Sequence, residues 1–283
     1  MLNWLEHLDR RWIFLAMALA VAGPILFQAE FPEKPTTLVE NAFKAIEELP
    51  PGSRLLFALD YDPASQGELA PMSAALVRHA CERHHKLYFM TLWPLGSPII
   101  QDNISIIERE YPEMKYGRDY VDLGYRAGNE GVIKVITTSL RQQYATDTNG
   151  TNLDDMPMTR DIKNVRDMNM LVCVGSGNPG IKEWVQYVGS AYDIPIVAGT
   201  TGVQTPQLYP YYPRQIVGLL GAIKGAAEYE QAVINQYPKF AEMPQTREGL
   251  RRMGPQLVAH LLMIGLIVLG NVIYFSGRRR SRA

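Results

Sequence analysis

The chain has 283 residues, of which 47% are hydrophobic and 20% charged, with a formal net charge of -1. That balance is long enough for one large or two small domains, and without a basic excess it excludes nucleic acid as a partner class. Two cysteines, Cys81 and Cys173, sit in predicted helix and strand interiors, where small buried thiols are usual, so a disulfide framework is not expected and no spacing resembles a zinc site.

The first segment to stand out is the uncharged run over residues 12–27, preceded by Arg10 and Arg11. At 1.5 Å per residue it reaches about 24 Å, slightly less than a hydrocarbon core of about 30 Å; Gln28 and Ala29 extend it and Trp12 suits the interface. A cleaved signal peptide is the competing reading, but the run is long and Pro24-Ile25-Leu26-Phe27 is a poor cleavage site. Residues 1–29 are therefore expected to be an uncleaved anchor.

Residues 30–250 read as alternating helix and strand. Leu38, Ala42, Phe43, Ile46 and Leu49 recur at helical spacing until Pro50-Pro51-Gly52. A strand is predicted over 54–59, a helix over 68–84 and a strand over 86–93. A helix at 103–110, a short strand at 120–124 and a helix at 131–144 follow. A buried strand at 170–174, a helix at 181–191 and a strand at 194–198 come next. A long helix over 214–236 closes the series. Strands apolar on both faces, alternating with amphipathic helices, predict a doubly wound, mainly parallel α/β sheet in a three-layer, Rossmann-like sandwich. Ligands of such sheets bind at the carboxyl ends of the strands, near the switch point.

The candidate ligand residues on that rim are Asp60, Asp62, Thr91, Ser176, Asn178, Thr200 and Thr201. Asp60 and Asp62 have the Asp-x-Asp spacing of haloacid dehalogenase-type phosphatases, with Thr91 suiting their second motif. The later acidic motif is missing, and capping of the turn through Pro63 and Ser65 is the preferred account. Gly175-Ser176-Gly177-Asn178-Pro179-Gly180 matches G-x-G-x-x-G, a turn whose N–H groups suit anions. It follows a late strand, Pro179 removes a donor, and no acidic residue ends the next strand to take a ribose. A nicotinamide site is therefore disfavoured, and no cofactor is assigned. Ser176 as a nucleophile lacks a base, since His79, His84 and His85 lie at the far end of an early helix. Residues 147–155 could chelate calcium through Asp147, Asn149, Asn152, Asp154 and Asp155, but Gly150 is fourth where an EF-hand needs glycine sixth. A solvated insertion is expected there, and no metal is assigned.

Gly218, Gly221 and Gly225 are expected to line the long helix, where each glycine costs about 1 kcal/mol relative to alanine, so something must approach closely. The sheet of the same chain is the first choice and a second subunit the other. Ala16/Ala20 and Ala18/Ala22 permit helix pairing in lipid, and the loop Tyr209-Pro210-Tyr211-Tyr212-Pro213 would serve as a contact surface.

Residues 257–275 form a second apolar run, interrupted by His260 and Asn271 and followed by Arg278, Arg279, Arg280 and Arg282. Residues 251–283 are thus expected to be a C-terminal transmembrane helix and basic tail. Arginines at both ends, against Glu30, Glu33 and Glu40 after the first anchor, predict a two-pass cell-membrane protein with cytoplasmic termini and an extracytoplasmic domain. Arg247, Arg251 and Arg252 count against that orientation. Partners would be membrane lipid and a second copy or another membrane protein. The reading favours a non-enzymatic binding or scaffold module that self-associates, with a phosphatase-like hydrolase using Asp60 and Asp62 as the alternative.

The stretches Ala58-Leu-Asp-Tyr-Asp-Pro63, Tyr116-Gly-Arg-Asp-Tyr-Val-Asp-Leu-Gly-Tyr125 and Gly218-Leu-Leu-Gly-Ala-Ile-Lys-Gly-Ala-Ala-Glu-Tyr229 resemble an uncharacterised family of prokaryotic membrane-anchored α/β proteins. The resemblance spans the central domain. It implies a Rossmann-like fold held at a membrane and carries no activity or catalytic residue.

Overall fold

The computed structural model describes residues 9–28 and 30–280, with side chains up to 275. Ala29, Arg282 and the side chains of Arg278, Arg279 and Arg280, which the membrane expectation uses, lie outside the described residues. The chain divides into two compact units, residues 33–249 and residues 1–32 with 250–283.

The larger unit is a six-stranded, all-parallel sheet in the order β3-β2-β1-β4-β5-β6. The strands are β1 (Arg54–Asp60), β2 (Lys86–Thr91), β3 (Tyr120–Tyr125), β4 (Met170–Gly175), β5 (Ile196–Thr200) and β6 (Ile216–Gly221). That is a Rossmann-like α/β domain, and the winding reverses between β1 and β4. Both faces are covered. In β1, Leu56 and Ala58 enter one apolar layer while Leu55, Phe57 and Leu59 enter the other, all at 2% exposure or less. One face packs α2 (Thr37–Glu47), α3 (Gln66–Glu82), α4 (Ser97–Glu110) and α9 (Ala222–Gln236). The other carries α5 (Glu130–Ile136) and α6 (Ile181–Trp184), which runs on through a wider turn at Val185–Gly189 into α7 (Ser190–Tyr192). A short α8 (Thr205–Leu208) follows β5.

Three expectations need correction. The long helix at 214–236 is two elements, because Ile216, Gly218, Leu219 and Leu220 are buried and pair in parallel with β5, leaving the helix to begin at Ala222. The close approach inferred from the glycines exists, and its source is the same chain. A Cβ on Gly218 would lie 2.2 Å from the Ala42 Cα in α2, and one on Gly221 would lie 2.6 Å from the Thr205 side chain. The helix at 131–144 ends at Ile136, where Thr137 turns its hydroxyl back onto the Lys134 carbonyl at 2.7 Å and competes with the helical ladder. The insertion around 147–155 is not merely solvated. Leu153, Met156 and Met158 are buried, and Asp147 accepts from the Thr151 N–H and from the Tyr116 hydroxyl, each at 2.7 Å. Smaller shifts have local causes; β5 starts at Ile196 rather than 194 because Pro195 has no N–H to give a ladder.

In the smaller unit, α1 (Arg10–Leu26) has 17 residues, about 26 Å. α10 (Glu248–Arg280) has 33. Among the described residues one helical stretch, Glu248–Phe275, is long and apolar enough to cross a membrane; its most apolar part has a mean hydropathy of 2.2 and none of it is buried. The expectation was two such helices; α1 falls short on length. Inside α10 the Asn271 amide donates to the Ile267 carbonyl at 2.9 Å, one turn back in its own helix.

Candidate functional site

The carboxyl rim at the β1/β4 switch point gathers most of the residues the sequence singled out. Asp60 ends β1 opposite Gly175, which ends β4, and the Ser176 N–H donates to the Asp60 carbonyl at 3.2 Å. Thr91 ends β2 and Thr200 ends β5. Their roles differ from those of a ligand set. Asp60 is 1% exposed, and both carboxyl oxygens are in use: one accepts the Leu92 N–H at 2.7 Å and the other the Trp184 indole N–H at 2.8 Å. Burial pushes its pKa up to about 7, against the stabilising donation from Leu92 and Trp184. Thr91 accepts the Trp93 N–H at 3.1 Å, and Thr200 donates to the Gly175 carbonyl at 3.0 Å; both are fully buried. Asp62 caps the short turn Pro63–Ser65, accepting the Ser65 N–H at 3.2 Å. The two aspartates thus face separate duties, and neither presents a free oxygen pair to a metal and a phosphoryl group.

The glycine-rich turn is also occupied from within. The Gly180 N–H donates to the Glu183 carboxylate at 2.7 Å, which puts a negative side chain where an anion would have met the helix end. The Trp93 indole donates to the Pro179 carbonyl at 2.7 Å and its ring lies over the turn, so a Cβ on Gly177 would come within 2.6 Å of it. The glycine at 177 is needed for the tryptophan rather than for a pyrophosphate. The turn after β1, Asp60-Tyr-Asp-Pro-Ala-Ser-Gln66, contains no glycine at all. A dinucleotide has no cradle at either place.

What stays open is a cleft of about 150 Å³ beside the turn, lined by Gly177, Asn178, Ile181, Lys182, Glu183, Gln204, Gln207 and Leu208. Of the sequence candidates it includes Asn178, which is exposed; Ser176 and Thr201 are half-buried neighbours in the same two loops. Ile181 and Leu208 give it an apolar floor. Three amides, a cation and a carboxylate give donors and acceptors, and Lys182 donates to the Gln207 carbonyl oxygen at 2.5 Å. Sequence reasoning passed over Trp93, Trp184, Lys182, Glu183, Gln204 and Gln207. Glu183 was findable, because a glutamate three residues into a helix start is placed to accept from the backbone N–H of the residue before the helix, here Gly180.

The histidines lie elsewhere. His79 is fully buried in the last turn of α3, far along that helix from the rim where it begins, with Glu47 at 2.7 Å, Tyr229 at 2.7 Å and Phe43 stacked at 4.4 Å. Burial lowers its pKa in spite of Glu47. It ties α2, α3 and α9 together and offers Ser176 no base. In the loop at 147–155 Asp154 pairs with Arg141 at 2.8 Å, and among the described residues no group of three or more metal-ligating side chains gathers. Cys81 and Cys173 are buried free thiols.

No family profile and no curated protein sequence matches the chain. Among solved structures, the chain is similar to the crystal structure of levodione reductase at a TM-score of 0.27 and 15% identity, covering 75% of this chain and 91% of that one. The Rossmann-like assignment stands on the strand order itself.

Proposed function

We propose that the chain is a membrane-tethered binding module, in which α10 and α1 hold the molecule to a bilayer and the rim cleft receives a small polar group. The single observation that carries the tether is the exposed apolar surface of α10. Leu261, Ile264, Ile267, Val268 and Phe275 are each 56–60% exposed along one helix. Such a surface is stable in lipid and costly in water. On α1, Trp12, Phe14, Leu19 and Leu26 are exposed in the same way, which supports a second anchor even though 17 residues require local thinning of the bilayer. Arg10 and Arg11 before α1, the acidic Glu30, Glu33 and Glu40 after it, and the arginines after 275 support cytoplasmic termini and an extracytoplasmic domain.

The size and chemistry of the cleft support the ligand class. About 150 Å³ is well below the usual 300–1,000 Å³ of a cofactor site, and suits a few-atom ligand or one side chain of a partner. Amides flanked by Lys182 and Glu183 favour a group that both donates and accepts hydrogen bonds. The alternative, hydrolysis through Asp60 and Asp62, loses support from the engaged carboxyl oxygens of the first and the capping role of the second. Association with a second copy or another membrane protein belongs to the tether, because Gly218, Gly221 and Gly225 are filled by their own chain. The test is a benzophenone amino acid at Gln207, irradiated in intact membranes and read by intact mass and gel. A discrete adduct at Gln207 and none from exposed Glu108 on α4 is the expected result; equal labelling from both would contradict the cleft as the binding place.

A further inference from the structure

Four adjacent segments leave the carboxyl rim of the larger unit, after β2, β1, β4 and β5 in sheet order. They are residues 92–98, 61–67, 176–180 and 201–207. Asp62 is the one charged residue among them, where the chain's overall 20% would place about five. Two of the tips carry exposed apolar side chains, Leu95 at 57% and Val203 at 83%. Both tips are pinned. The Gly96 N–H donates to the Trp93 carbonyl at 2.9 Å, and Trp93 is itself bonded to Thr91 and to Pro179. The Gly202 N–H donates to the Glu68 carboxylate at 2.9 Å, and the Gln204 N–H to the Thr201 carbonyl at 3.1 Å. Leucine and valine held out on uncharged segments are costly in water and suited to an apolar boundary.

Both ends of the larger unit lie at this same rim. Glu33, its first residue, pairs with Lys224 at 3.5 Å in the first turn of α9, directly after β6. One residue before its last, Glu248 lines a cleft of about 210 Å³ with Tyr61 and Gln66, which follow β1. Residues 28–32 separate Glu33 from the first apolar run, and residues 250–256 separate Gly249 from the second. The linking chain is therefore at most about 20 Å of extended backbone on one side and about 12 Å of helix on the other.

We propose that this rim lies against the bilayer surface, with Leu95 and Val203 inserted at the boundary between headgroups and acyl chains. The inference rests on the membrane-tether reading and adds to it the face that the domain turns to the lipid. Short links at the rim end hold that end, and not the opposite edge of the sheet, at headgroup level. A zwitterionic surface suffices, because the four segments offer apolar tips with neutral amides and hydroxyls rather than a basic patch. A second copy of the chain is the other occupant such a surface admits, and the experiment distinguishes the two.

The experiment places one NBD fluorophore on the full chain, at Leu95→Cys, at Val203→Cys or at Glu113→Cys, which is exposed on the amino side of β3. Cys81 and Cys173 are buried and stay unlabelled. Each protein is reconstituted in phosphatidylcholine vesicles with and without nitroxide-labelled phosphatidylcholine. Quenching at positions 95 and 203 should exceed that at 113 about fivefold, because the tips reach the acyl boundary. Both leaflets hold quencher, so the direction of insertion does not enter. Adding phosphatidylglycerol should leave the ratio unchanged. Weak, equal quenching at all three positions would overturn the proposal, as would a ratio that appears only with phosphatidylglycerol. Emission that is blue-shifted at 95 and 203 yet indifferent to the nitroxide lipid is the result a second copy would give, and it too overturns the proposal. Flotation of the same vesicles separates this failure from that of the tether. Protein that floats without quenching at the rim sinks only the present inference, and protein left at the bottom of the gradient sinks both.

Discussion

At the scale of single residues the molecule is governed by where buried polar groups find partners. Asp60 keeps its proton in the fold up to about pH 7, because burial disfavours the charged form, whereas the unfolded chain releases it near 3.8. Between those values the fold binds a proton that the unfolded chain has lost, so raising the pH through the window costs stability, and the loss levels off above about 7. Asp60→Asn removes the effect. The unfolding free energy of the variant relative to the native chain should therefore rise from pH 4 to pH 7, as measured by urea unfolding in detergent; a difference that stays constant would contradict the buried carboxyl. Asp60→Ala should cost about 3 kcal/mol near pH 4, because the Leu92 and Trp184 N–H groups lose their acceptors, and less towards pH 7, where the native chain has lost its proton-linked stability. In this account that loss is one of stability and not of a reaction.

At the scale of elements, α2 and β6 approach each other closely at Gly218. Gly218 is buried on β6 with the Ala42 backbone where its Cβ would be. Gly218→Ala should destabilise the domain by about 2 kcal/mol, read by chemical denaturation, and leave crosslinking between copies unchanged. Unaltered stability with an altered crosslinking ladder would return this segment to an interface between chains. Strand positions were legible where apolar runs stood between turn signals, as in β1 and β4, because full burial on both faces leaves only apolar residues there. β6 was not legible. Its Ile-Val-Gly-Leu-Leu-Gly run passes directly into α9 with no loop between, and Gly218, which marks α2's approach, reads with Gly221 and Gly225 equally well as a helix face. The rim itself was legible from the α/β rule, and with it Asp60, Thr91, Ser176 and Thr200. Their duties were not, since Trp184 reaches Asp60 across 124 residues and Trp93 reaches Pro179 across 86. Spacing along the chain carries no trace of either bond.

At the scale of the whole molecule, a Rossmann-like domain and a bare apolar helix share one chain. The domain is complete in its own core, with both sheet faces covered and its winding reversal filled by two tryptophans. The apolar stretch within Glu248–Phe275 buries nothing. Burial of such side chains is worth about 1.5–3 kcal/mol each, so a helix of this composition is strongly driven out of water. The most direct measurement is alkaline carbonate washing of membranes that contain the full chain. Retention of the intact polypeptide in the pellet, with release after Leu261, Ile264 and Val268 and the α1 residues Phe14 and Leu19 are all replaced by lysine, is the predicted result. Intact native protein in the supernatant would contradict the tether and everything built on it.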